Sequence, residues 1–414
     1  PLLDDLISHT RVGSMVISPD GRHLAGVAYS TWTPVILVVD AETLQARRLP
    51  VPPAPNSRFE WRRPIDVHWG ADDVLVLDFD SLESESVDLK GRRLARLGEH
   101  FLGRLAGHAA PAGRVLVFSD LKDGDVDQVD VRSGVRQAYR IGLPGKPIHW
   151  TFDDQGRLRV VMMRDTSFWS ERTRISNWYR ADDASPWQKL QDVSINEDYW
   201  IAARVLPEPN QLAVWSREGR DTVALFRYDV LARRNVSLMA GNPTDDVVMA
   251  SGLSGPSVQS VVTNGLKPER YWFDPDWARV QASVDAALPE RVNLLSGRPD
   301  GRVLVASYSD VDPGRWLLLD VPTMSMREVV ASNDRIDPAL QRPMEALRYR
   351  ARDGLETPAY LTRPATATGT PSPMVVLIHG GPNVRDTWSW NSEAQILAAQ
   401  GYAVFQPQFR GSSG

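Results

Sequence analysis

Between residues 18 and 333 the chain repeats one pattern of apolar and polar positions. An apolar run ends in an acidic or polar residue, a polar turn follows, and the next run carries basic residues. The copies are Val-Val-Asp-Ala-Glu-Thr-Leu-Gln-Ala-Arg-Arg-Leu (38–49), Val-Asp-Leu-Lys-Gly-Arg-Arg-Leu (87–94) and Val-Asp-Val-Arg-Ser-Gly-Val-Arg-Gln (129–137). Further copies are Trp-Tyr-Arg-Ala-Asp-Asp (178–183), Tyr-Asp-Val-Leu-Ala-Arg-Arg (228–234), Phe-Asp-Pro-Asp-Trp-Ala-Arg (273–279) and Leu-Asp-Val-Pro-Thr-Met-Ser (319–325). Their equivalent positions, Asp40, Asp88, Asp130, Arg180, Asp229, Asp274 and Asp320, are spaced by 48, 42, 50, 49, 45 and 46 residues. Each copy predicts a hairpin.

A second pattern precedes several hairpins. Ser-Pro-Asp-Gly-Arg-His-Leu-Ala (18–25) matches Arg-Pro-Asp-Gly-Arg-Val-Leu-Val (298–305), with weaker versions at 72–78, 113–119 and 211–216. Asp-Gly supplies a tight turn, and the apolar residues after it predict a half-buried strand. A repeat of about 45 residues with about four short strands is the size of a β-propeller blade. The expected fold is therefore mainly β, a seven-bladed β-propeller over 18–333. The irregular fourth repeat, around 167–180, leaves the count open by one. A β-sandwich is the competing architecture and does not carry this period.

After residue 333 the pattern changes. Residues 334–341 read as a linker and 345–364 as a hairpin turning at Asp353-Gly354; 366–372 form a polar loop. The continuous apolar run 374–378 predicts a strand buried on both faces of a parallel sheet. Ser392 and Gln395 have the spacing of a capping box, Ala394, Leu397 and Ala398 form an apolar helical face, and Gly401 stands where the helix should stop. Residues 402–409 read as the next strand, so strand, loop, helix and strand make an α/β crossover unit.

His379-Gly380-Gly381-Pro382 follows the first of these strands. Acyl transfer builds negative charge on a carbonyl oxygen, and preorganised backbone N–H groups stabilise it. Gly380 and Gly381 own N–H groups and let the main chain approach closely, whereas Pro382 has none to give. In a hydrolase such a loop gives one donor, and the residue after the nucleophile gives the other. Arg410-Gly-Ser-Ser-Gly414 looks like the opening of a nucleophile elbow, yet it comes one crossover after the loop, too early in the sheet.

Composition excludes more than it adds. The formal charge of −5 gives no electrostatic reason for a nucleic-acid or anionic-membrane partner. The longest apolar runs hold about five residues, against ~20 for a bilayer span. No leader is visible, and a cleaved one would look the same, so cytoplasm and periplasm both stay open. The absence of cysteine removes disulfides and thiolate metal sites. Asp120, Asp123, Asp125, Asp127 and Asp130 suggest a calcium loop, but counting from Asp123 the required Gly and Glu positions hold Gln128 and Gly134. The histidines show no metal-ligand spacing. No metal or cofactor is expected. Trp150, Trp169, Trp178 and Trp272 are assigned to packing, and Arg172 and Arg174 are candidates to line a central channel.

Segments 376–382 and 401–414 resemble the prolyl oligopeptidase family of serine peptidases, in particular its acylaminoacyl-peptidase branch. The resemblance implies a propeller followed by an α/β-hydrolase domain, of which 334–414 would be the incomplete start. It also implies hydrolysis of short peptides through an acyl-enzyme, with the propeller gating access. The family's Ser, Asp and His lie downstream of this point, so no catalytic residue is carried over, and residues 1–414 alone are expected to be inactive. The oxyanion loop maps to His379, Gly380 and Gly381; His379 replaces the Tyr of other branches, so only the backbone role transfers. Arg410 matches the family's Arg-Gly loop and is expected to brace it or to contact a substrate carbonyl. The N-terminal segment, 1–17, often packs as a helix on the hydrolase in this family, a role open to 1–8. Two rival functions remain: an α/β-hydrolase esterase or lipase, and a propeller that binds a protein partner and carries a vestigial hydrolase stub. A homo-oligomer is left open.

Overall fold

The computed structural model describes residues 12–30, 33–51, 63–104, 113–120, 125–139, 141–166, 173–249, 258–263, 265–365, 371–381 and 383–414. The expected helix at 1–8, Trp169, Arg172 and Pro382 lie outside them. Residues 12–17 of the N-terminal segment are a strand rather than a helix, the first of the first sheet.

Among the described residues, seven sheets follow one another along the chain, each a meander of sequence neighbours. They span 12–49, 64–98, 100–139, 146–194, 201–240, 247–272 and 292–331. Each repeat marker sits at, or just after, the end of the third strand of its sheet, as Asp40 ends Thr33–Asp40 and Asp320 ends Arg315–Asp320. The sixth sheet departs from the expected hairpin. After Glu269–Trp272 the chain enters helix α1, Pro275–Ala287, instead of a fourth strand. Pro275 suits the first helical turn, where its missing N–H costs nothing, and the Asp274 carboxylate accepts the N–H groups of Asp276 and Trp277. Trp277, Val280 and Val284 form the buried face.

The second strands are more buried than expected. Val74, Leu75, Val76 and Leu77 of Val74–Phe79 are all fully buried, and Val74 and Val76 pack on the next sheet. One apolar cluster joins Val74, Val76 and Leu97 of the second sheet to Val115, Val117 and Val129 of the third. Another joins Val160 and Tyr179 of the fourth to Leu212, Val214 and Phe226 of the fifth.

The chain divides into two compact units: 14–27 with 33–261, and 1–13 and 28–32 with 262–414. Within the second unit lies an eighth, mixed sheet of strands β1 (Met344–Arg350), β2 (Glu356–Thr362), β3 (Met374–Val376) and β4 (Ala403–Pro407), in the order β1-β2-β4-β3. β1 and β2 are the expected hairpin, and β3 and β4 pair in parallel. Helix α2, Ser392–Ala399, connects them. Its cap is Asn391, whose side chain accepts the Ala394 N–H, and not the expected Ser392–Gln395 box. Gln395 turns inward instead, giving and taking 2.8 Å hydrogen bonds with the carbonyl and N–H of Arg342. Gly401, at φ +94°, ends the helix as expected. Among the described residues β3 lies at the margin of the sheet, and Met374, Val376 and Ile378 are 58%, 49% and 63% exposed.

Still within this unit, Met344, Tyr360 and Trp388 form one cluster with Val292 of the seventh sheet. Tyr360 donates to the Leu266 carbonyl at 2.7 Å, and burial pushes its hydroxyl pKa up. Asp310 accepts the Met344 N–H at 2.7 Å. The Val12 N–H, at the start of the first sheet, donates to the Ser332 carbonyl just past the last strand of the seventh at 3.3 Å.

Candidate active site

Because β3 and β4 run in parallel, the loops that follow them leave the sheet at the same end. In α/β sheets this carboxyl end is where ligands bind. Residues 377–391 follow β3 and residues 408–414 follow β4. Three backbone and side-chain contacts tie the two loops together. Gln408, buried, accepts the Asp386 N–H at 3.1 Å and donates to the Asp386 carbonyl at 2.9 Å. The Ser413 N–H donates to the Val384 carbonyl at 3.2 Å.

His379 lies at this junction. Its ring stacks on Phe409 with centroids 4.4 Å apart. Its Nδ1 is 2.6 Å from the Gly380 carbonyl oxygen, and its Nε2 is 3.0 Å from Ser412 Oγ. Ser412 closes a tight turn: both its N–H (2.9 Å) and its hydroxyl (2.6 Å) reach the Phe409 carbonyl. Among the described residues, no carboxylate is bonded to His379, and the N–H groups of Gly380 and Gly381 have no protein acceptor. Gly381 has φ +152°, a conformation other residues rarely adopt. A Cβ on Gly380 would meet nothing within 4 Å, so the main chain is open to approach there, whereas a Cβ on Gly381 would meet Val384 Cγ2 at 3.3 Å.

Arg410, one residue past Phe409, is 67% exposed and ion-paired through Nη2 to Asp353 in the β1–β2 turn. That guanidinium, helped by the Leu355 N–H, holds the Asp353 carboxyl below its ordinary pKa. A guanidinium has five donors, so the remaining ones stay available. Arg174 instead pairs with Asp192 across two strands of the fourth sheet. Among the described residues no cluster of His, Asp and Glu is arranged to hold a metal.

Sequence reasoning isolated His379, Gly380, Gly381 and Arg410 as separate features but missed their partners. Ser412 came into view only as part of a false elbow, and Asp353 only as a turn residue. Both partners are reached through strand pairing, by routes of 33 and 57 residues.

No protein-family model matches the chain. Over 240 residues it is 25% identical to dipeptidyl aminopeptidase BIII of Pseudoxanthomonas mexicana, a match covering 55% of this chain and 34% of that protein. Over 128 residues it is 32% identical to the uncharacterised peptidase YuxL of Bacillus subtilis, covering 30% of this chain and 19% of the relative. The chain therefore matches only part of these curated relatives. Among solved structures, a prolyl endopeptidase superposes with a TM-score of 0.66 at 13% identity, covering 99% of this chain and 63% of its own. A puromycin-hydrolysing peptidase of Mycobacterium tuberculosis gives 0.62 at 13% identity, covering 100% and 68%. At such identities the solved structures establish a common fold, propeller-like sheets leading into an α/β sheet, while the curated relatives are peptidases. By sequence the chain is similar to these curated peptidases, and in fold it is similar to the solved prolyl endopeptidase and puromycin-hydrolysing peptidase.

Proposed function

We propose that the protein is a serine peptidase that hydrolyses short peptides through an acyl-enzyme, with the 379–381 loop supplying an oxyanion donor. The observation that carries this reading is the pair of unengaged N–H groups, on Gly380 and Gly381, at the carboxyl end of the parallel strands. An oxyanion donor of this kind contributes about 2.7–4 kcal/mol of transition-state stabilisation. It does so because it is held in place before charge develops, so no solvent has to reorganise during the reaction. Arg410, braced by Asp353, uses its remaining donors on a substrate carbonyl. In the same reading the seven sheets close into a ring that admits only small or unfolded peptides. The Val12–Ser332 hydrogen bond supports closure, since it joins the beginning of the first sheet to the end of the seventh.

No serine, histidine and carboxylate are joined in one chain among the described residues. The Nδ1 of His379 faces a carbonyl, not an acid. The reading therefore gives these residues the oxyanion half of the reaction, and residues 1–414 by themselves are expected not to turn over aminoacyl anilides. Turnover by them that a serine-directed fluorophosphonate abolishes would overturn this division. In the active enzyme, Gly381→Pro deletes one N–H and is expected to lower kcat by about 10²–10³. An unchanged kcat sinks the oxyanion role, and cleavage of acyl esters but not peptides makes the enzyme an esterase.

A further inference from the structure

The His379 ring is held on three sides. Its Nδ1 is 2.6 Å from the Gly380 carbonyl oxygen. A carbonyl only accepts, so Nδ1 carries a proton. On the other edge, Ser412 Oγ is 3.0 Å from Nε2 and 2.6 Å from the Phe409 carbonyl. The hydroxyl has one proton and two neighbours, the Phe409 carbonyl and Nε2, and Oγ stays in contact with the ring whichever of them takes it. The face of the ring rests on Phe409.

The Gly380 carbonyl and the Gly381 N–H belong to one planar trans peptide, so they point in opposite directions. Fixing the oxygen toward Nδ1 therefore fixes where the N–H points. Packing at Gly380 does not do this job, because a side chain there would find open space, although a Cβ on Gly381 would meet Val384 Cγ2 at 3.3 Å. We propose that Ser412 is a positioning residue: acting through His379, it sets the direction of the Gly381 N–H. The consequence for catalysis rests on the oxyanion reading above, whereas the clamp itself does not. The turn carrying Ser412 has other anchors, namely the Ser412 and Ser413 N–H bonds and the contact of Arg385 Nη1 with the Ser413 carbonyl at 3.4 Å. Removing the hydroxyl should therefore leave the turn folded.

NMR on the 414-residue chain tests the clamp directly. In the unmodified chain the ring nitrogens of His379 are expected to report protonated Nδ1, and the Gly381 N–H order parameter to be near 0.85. Ser412→Ala should mix the two ring tautomers and bring that order parameter below about 0.6 without changing Tm. Ser412→Thr, which keeps the hydroxyl, should restore both. An unaltered ring and an unaltered Gly381 in Ser412→Ala overturn the proposal, as does covalent labelling of Ser412 by a fluorophosphonate. Peptide hydrolysis by the active enzyme separates the two claims. A roughly 10-fold or larger fall in kcat with KM held, rescued by Ser412→Thr, supports both. The NMR changes without a change in kcat keep the clamp and reject the oxyanion role of Gly381.

Discussion

The Oδ1 atom of Asp40 accepts the N–H groups of Glu42 and Thr43 at 3.0 and 2.8 Å. Asp130 does the same for Arg132 and Ser133, and Asp229 for Leu231 and Ala232. The repeat marker is thus a turn acceptor, which is why an acidic residue recurs there. At Asp40, Asp130 and Asp229 the turn's backbone N–H groups are the largest influence and lower the carboxyl pKa. At Asp88 burial works to raise it, but the N–H groups of Arg92 and Lys90 and the Arg92 side chain together outweigh that. A carboxylate with a depressed folded pKa adds stability above its unfolded value, about 3.9, and loses that share as pH falls through the folded value. Tm should therefore drop below about pH 4, and Asp130→Asn, which keeps an acceptor for the turn, should flatten that limb of a Tm–pH curve. Four residues after three of these markers, Leu44, Arg233 and Met324 adopt φ of 57°, 53° and 52°, where the third repeat has Gly134. Met324 is exposed, so Met324→Gly loses little packing and relieves left-handed strain. A gain of up to about 1 kcal/mol in a urea titration is expected, the strain relief less the entropy glycine adds to the unfolded chain.

Helix α1 and helix α2 show what element-level patterns reveal. The Asp274-Pro275 start and the Trp277, Val280, Val284 spacing are visible in the sequence, but the 45-residue period argued for a hairpin and local helix signals won. The same aspartate chemistry, acceptance from the second and third following N–H groups, begins a hairpin turn at Asp40, Asp130 and Asp229 and a helix here. The existence of α2 was legible, and its cap was misassigned by one residue. Gln395 has a partner 53 residues away that no local pattern reveals, and that distant contact takes the side chain from the cap. Gln395 bridges both backbone groups of Arg342, and each group left without a partner in the interior costs about 1–3 kcal/mol. Gln395→Leu should accordingly destabilise this part of the fold in a chemical denaturation curve by at least one such step, while Asn391→Ala should cost about 1 kcal/mol. A larger effect from Asn391→Ala would reverse that order of importance. The site shows the same division: the contiguous His-Gly-Gly stretch could be read, whereas Ser412 and Asp353 are brought to it by sheet pairing.

Across the whole molecule, the strand–turn chemistry is repeated in seven sheets and then gives way to a mixed sheet with a parallel pair. The absence of cysteine makes ring closure directly testable. Val12 and Ser332, both buried, are joined by a 3.3 Å backbone hydrogen bond, a proximity that an engineered disulfide can report. Val12→Cys with Ser332→Cys should oxidise spontaneously and give a compact, fast-migrating band on a non-reducing gel. Two persistent free thiols would mean that the ends do not meet.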